Sequence, residues 1–165
     1  MDTGRFLRHL FASRWGTRQH FTDAVDAAIE SAIRTAESRT SGEIRFVIET
    51  ALDPFAAARG HAPRTRAHEV FGQFRVWDTE LRNGVLIYVL VADRDVEILA
   101  DRGAAAVIPA AGWEAAARRM EEEFRAGRYR DGAIAGVEAV GGLLEQHFPA
   151  RAVNRDELPN QPALL

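Results

Sequence analysis

Three short apolar runs in the middle of the chain keep different rhythms. In "EIRFVIET", residues 43–50, Ile44, Phe46 and Ile48 alternate with Glu43, Arg45 and Glu49, the period of two expected of a strand. "VLIYVLVA", residues 85–92, is apolar almost throughout, as in a strand covered on both faces. "VEILA", residues 96–100, follows Asp93-Arg94-Asp95, and the spacing predicts an antiparallel hairpin.

The remaining apolar positions recur at helical spacing. Thr22 can cap a helix whose stripe is Phe21, Ala24, Val25, Ala28, Ile29, Ala32 and Ile33, ending near Ser41-Gly42. Another carries Ala67, Val70, Phe71, Phe74, Trp77 and Leu81 on one face and breaks at Asn83-Gly84. Two more are expected at about 110–126 and about 131–147, with Gly127 between them, and "ALDPFAAARGHAP" reads as a loop. A crossover of more than thirty residues between the first two strands makes them parallel and right-handed. The result is a small mixed sheet with helices on both faces, in one domain over residues 21–149.

The two ends read differently. Residues 5–20, "RFLRHLFASRWGTRQH", hold four Arg, two His and no acid, with Leu7, Leu10, Phe11 and Trp15 falling on one face of a helix. Such a basic amphipathic segment either folds its apolar stripe onto its own domain or docks on an acidic partner or anionic membrane surface. Residues 150–165 show no pattern and are expected to be a flexible tail.

Composition narrows the chemistry. With no Cys and no Lys among 165 residues, disulfides, thiolate metal sites, Schiff-base lysines and a Walker-type phosphate loop are excluded. A net charge of −3 gives no footprint for nucleic acid. No run approaches the roughly 20 apolar residues of a membrane span, and Arg5, Arg8 and Arg14 interrupt any leader-like stretch, so the expected location is cytoplasmic or membrane-peripheral. The four Ser lack a nucleophile elbow and the five His lack a paired metal motif. Asp93-x-Asp95 resembles the nucleophile motif of haloacid-dehalogenase-type phosphatases, but Glu97 and the missing Lys break that pattern.

The topology sorts the remaining acids to two ends of the sheet. Glu43, Asn83 and Asp101 gather at one, with Asp78 and Glu80 shortly before Asn83; Asp53, Asp93 and Asp95 gather at the other. Asp93 and Asp95 have a turn-making reason to be there. The Asp101 end has none, and oxygen-rich convergence of that kind suits calcium or magnesium. The expected ligands are Glu43, Asp78, Asp101 and Asn83.

The segments "SGEIRFVI", "FRVWDTELRNGVLIYVLVADRDVEI" and "FRAGRYRDGAIAGVEAVGGLL" occur in an order that resembles the TPM domain. The markers are Gly42-Glu43, Asn83-Gly84, Asp93-Arg94 and the closing set Phe124, Gly127, Tyr129 and Gly132, over roughly residues 22–148. The resemblance implies a three-layer α/β/α sandwich around three to four strands. It also implies acid-phosphatase-like relatives, divalent-cation binding through acidic loops and ties to membrane-associated complexes of the thylakoid lumen or bacterial envelope. Of the glycine-rich loop that follows the family's hairpin, "ADRGAAAV" keeps Gly103 alone. Two functions follow from this. One is a non-catalytic, cation-binding interaction domain partnered with a membrane-associated protein or membrane surface through residues 5–20. The alternative is a metal-dependent phosphomonoester hydrolase in which water attacks and Arg102 neutralises the developing charge.

Overall fold

A computed structural model describes the whole chain, residues 1–165. Strands β1 (Glu43–Glu49), β2 (Gly84–Leu90), β3 (Asp95–Ala100) and β4 (Ala163–Leu164) form one sheet in the order β3-β2-β1-β4. β1 and β2 run parallel with Glu43 opposite Gly84, and the hairpin sets β3 antiparallel with Leu90 opposite Asp95. The pleat divides β1 and β2 between two cores. Ile44, Phe46, Ile48, Val85, Ile87 and Val89 face helices α3 (Asp23–Glu37), α7 (Ala110–Arg125) and α8 (Tyr129–His147). Val47, Leu86, Tyr88 and Leu90 face α4 (Pro54–Ala58), α5 (Pro63–Gln73) and Leu158. The architecture is a three-layer α/β/α sandwich.

Several elements differ from the sequence reading, each for a local reason. Asp53 caps α4 by accepting from the Ala56 N–H at 2.8 Å, so the expected loop after β1 holds a short helix. α5 stops at Gln73, short of Leu81, because the chain turns through Arg75 at φ 52° and Arg82 at φ 53°. That turn lays the Val76 carbonyl against Gly84, where a Cβ would collide with it. The Leu81 and Arg82 carbonyls likewise press on Gly103 at the start of α6 (Arg102–Val107), whose N–H donates to Arg82 at 2.8 Å. Both glycines are spacers for backbone packing.

The N-terminal segment is two helices. α1 (Thr3–Phe11) ends at Ala12, and Ser13 caps α2 (Arg14–His20) by accepting from the Gly16 N–H at 3.1 Å. The helix is held by its polar face. Arg5 donates twice to Asp93 Oδ2, at 2.9 and 2.7 Å, and once to the Ala57 carbonyl at 3.0 Å. His9 bridges the Leu52 N–H, which donates to Nδ1 at 3.0 Å, and Asp93 Oδ1, 3.0 Å from Nε2. With Nδ1 accepting, Nε2 carries the proton. Leu7, Leu10 and Phe11 point away from the domain and are 46%, 50% and 77% exposed.

Residues 150–165, expected to be a flexible tail, run along β1 and extend the sheet at its edge. Leu158 is buried, Arg45 donates to the Pro159 and Gln161 carbonyls at 2.7 and 2.6 Å, and β4 pairs in parallel with Val47 and Ile48. A buried arginine and an open strand edge both need hydrogen-bond partners, and this segment supplies them. Leu158→Ala is therefore expected to cost about 2–4 kcal/mol, a fall in Tm on the order of 5–15 °C in a thermal melt. An unchanged melt would contradict the docked segment.

Candidate functional site

Glu43 and Glu49 stand at the two ends of β1, both buried, and the protein treats them differently. At Glu49, the Arg66 guanidinium donates to both carboxylate oxygens from 2.9 to 3.2 Å and the Tyr88 hydroxyl donates at 2.6 Å. Its charge is neutralised. Glu43 receives only backbone N–H groups: Glu157 and Leu158 donate to Oε2 at 3.1 and 3.0 Å.

Two more carboxylates join it. Glu37, in the last turn of α3, accepts from the Ile44 N–H at 2.9 Å, where β4 does not reach along the β1 edge. Asp156 comes from the C-terminal segment, and oxygen atoms of Glu37, Glu43 and Asp156 all lie within 4.8 Å of one another. Burial pushes Glu37 up to about 8, against the pull of the Ile44 N–H, and neighbouring Glu43 and Asp156 push the same way. Burial likewise pushes Glu43 up to about 7, resisted by the Leu158 and Glu157 N–H groups. No basic side chain acts on either glutamate. Such a group of carboxylates holds either shared protons or an oxygen-seeking cation.

The ligands expected from the sequence separate. Glu43 is in the cluster. Asn83 is wholly buried beside it; its carbonyl accepts from the Glu43 N–H at 3.4 Å and its Nδ2 donates to the Ser41 carbonyl at 2.8 Å. Its Oδ1 has no partner. Asp101 lies beyond the end of β3, across β2 from Glu43, and caps no N–H with its side chain. Asp78 is on the open surface, paired with Arg75 at 2.8 Å. Asp101 and Arg102 instead share a shallow hollow of about 480 Å³ with Arg82, Trp77 and Phe71. The sheet end is as the topology placed it, but the central β2 keeps Asp101 apart from Glu43.

Glu37 and Asp156 were not foreseen. Glu37 had a signal: it continues the register of Val25, Ile29 and Ile33 at intervals of four, which puts a carboxylate on a buried face. Asp156 had none, since its position depends on where the C-terminal segment lies.

The profile of the TPM domain matches residues 17–143, most of the sandwich. The chain belongs to the TPM-domain family. It is similar to the BA42 protein of the psychrophilic bacterium Bizionia argentinensis, at 35% identity over 87% of this chain and 94% of that one, with a TM-score of 0.73. Two more distant structures share the fold. The N-terminal domain of a P. gingivalis protein is 22% identical over 77% of this chain and 78% of its own, TM-score 0.59. The N-terminal domain of the Corynebacterium glutamicum cg2496 protein is 14% identical over 81% and 80%, TM-score 0.57. Among curated proteins none matches. Within this TPM domain, the Asn83-Gly84 marker and Gly103 occupy the tight backbone contacts described above.

The two raised glutamates give stability a definite pH sense. A carboxyl with a higher pKa folded than unfolded binds protons more tightly in the folded state. Its contribution is complete below the unfolded value near 4.5 and is lost as pH rises through about 7 for Glu43 and about 8 for Glu37. Asp95, raised by burial to about 6, acts in the same direction. Asp93 acts oppositely but at lower pH: burial opposes its ionisation, and Arg5 and His9 outweigh that and hold it below the usual carboxylate range. In metal-free buffer Tm should fall from about pH 5 to about pH 8.5. Glu37→Gln should flatten that slope. A Tm that stays level or rises across this window would refute the assignment.

Proposed function

We propose that this TPM domain is a non-catalytic interaction domain that binds one divalent cation, calcium or magnesium, through Glu37, Glu43 and Asp156. One observation carries the reading. Three carboxylates from α3, β1 and the C-terminal segment converge without a basic partner, while Glu49 at the other end of the same strand is neutralised by Arg66 and hydrogen-bonded by Tyr88. Hard cations favour such oxygen ligands from separate segments, and a cation displacing the protons would relieve both buried glutamates.

The interaction role is favoured over hydrolysis by the same geometry. The hydrolytic reading expected from the sequence relies on an arginine facing a phosphate held at the metal. Arg102, the residue expected to do this, lies in the hollow beyond β3 with Asp101, away from the three acids.

Titration with calcium or magnesium, followed by amide NMR shifts, is the direct test. Shifts should concentrate at residues 37, 43 and 156–158 and saturate with an affinity on the order of 10⁻⁴–10⁻³ M, typical of modest oxygen sites. Glu43→Gln should weaken binding about tenfold or more, whereas Asp78→Asn and Asp101→Asn should leave it unchanged. No localised shift up to ~10 mM, or shifts centred on Asp101, would sink the site. Turnover of a generic phosphomonoester that Arg102→Ala removes would overturn the non-catalytic reading.

A further inference from the structure

Helix α1 reverses the usual arrangement of an amphipathic helix, which buries its apolar stripe and leaves its polar face in water. Here Arg5 and His9 face the domain and hold it, and the apolar stripe faces out. Leu7, Leu10 and Phe11 are 46%, 50% and 77% exposed, and Trp15 of α2 is 74% exposed. Phe55 of α4, 55% exposed, widens the patch through Phe6, whose ring meets it edge-on at 5.2 Å. Large apolar side chains gathered in this way mark an interaction surface.

The rim is basic. Arg14 is exposed on α2, and Arg8 on α1 is 56% exposed although its guanidinium also lies 3.6 Å from Asp93 Oδ1. Arg59 follows Ala58, whose carbonyl accepts the Asp2 N–H, and exposed Arg94 follows the anchoring Asp93. Of the acids beside it, Asp2 and Asp53 cap helices, accepting from the Arg5 and Ala56 N–H groups, and Asp93 is paired with Arg5, Arg8 and His9. Residues 1–20 carry four Arg against one acid, in a chain whose net charge is −3.

We propose that this face seats on an anionic lipid bilayer. Leu7, Leu10, Phe11 and Trp15 enter the acyl boundary, and Arg8, Arg14, Arg59 and Arg94 lie at the headgroup phosphates. Tryptophan, phenylalanine and arginine on a short amphipathic segment are suited to that interface. A second copy is the poorer occupant, because two-fold pairing sets each basic rim against its duplicate. A single groove on a partner protein is also poorer, since the apolar groups come from α1, α2 and α4 and form a broad patch rather than one helical stripe. No helix is long and apolar enough to cross a membrane, so the attachment is to one leaflet.

The test is flotation of the whole chain with vesicles, run in EDTA so that it stands or falls separately from the cation site. The chain should float with mixed phosphatidylcholine–phosphatidylglycerol vesicles and much less with phosphatidylcholine alone. Phe11→Ser with Trp15→Ser should reduce binding about tenfold or more with Tm unchanged, because both side chains are mostly in solvent. Arg14→Glu with Arg59→Glu, which leaves the Asp93 anchor intact, should reduce it as well. Absence of wild-type binding, equal binding to neutral vesicles, or full binding by the Phe11/Trp15 variant would each overturn the proposal. Light scattering that finds a dimer dissolved by the same variant, without vesicle binding, would assign the face to a second copy instead.

Discussion

Every position of β1 is buried, yet Glu43, Arg45 and Glu49 are charged. A buried charge needs a partner or must lose its charge, and much of the rest of the molecule is arranged around that constraint. α5 supplies Arg66 to Glu49, and β2 supplies Tyr88. The C-terminal segment supplies the Pro159 and Gln161 carbonyls to Arg45, whose guanidinium also lies 5.0 Å from the Phe74 ring centroid. Glu43 alone is left with backbone N–H groups and two acidic neighbours. The candidate site is thus the unneutralised member of a set of three, which gives it a cause in the fold as well as a place.

The second polar anchor is Asp93. Sequence reasoning gives an aspartate at a hairpin tip a conformational explanation, and the tip does turn through Arg94 at φ 52°. The carboxylate has a further task, since Arg5 and His9 both bind it across more than eighty residues of chain. Removing one partner from such a part-buried set leaves charge exposed to low dielectric, so the three side chains act as a unit. At this end of the sheet Asp93 is taken up by Arg5 and His9, and Asp53 by the Ala56 N–H.

Most of the layered fold could be read from the chain because it depends on near-neighbour periodicity. The i, i+4 register of Val25, Ile29 and Ile33 and the alternation of Ile44, Phe46 and Ile48 state directly which faces are covered. What failed to show was what depends on distant partners. The C-terminal segment has no period of its own and is ordered by Arg45, Glu43 and the open edge of β1. α1 does have a clear period, but periodicity names two faces without saying which is inward, and hydrogen bonds to Asp93 decided against the apolar one. The site was half legible for the same reason: Glu43 and Asn83 are fixed by strand pairing, while Glu37 and Asp156 need tertiary contacts.

The polar attachment of α1 separates holding from contacting. Leu7, Leu10, Phe11 and Trp15 contribute little to the buried cores, so natural substitution can retune what the N-terminal face touches without a repacking cost. Arg5, His9 and Asp93 lack that freedom; a change in one strands the others. Among relatives sharing this arrangement, the outer four positions are free to diverge with the surface each protein meets, and the inner three must persist or change together. The helix is an interchangeable tool face on a fixed mount.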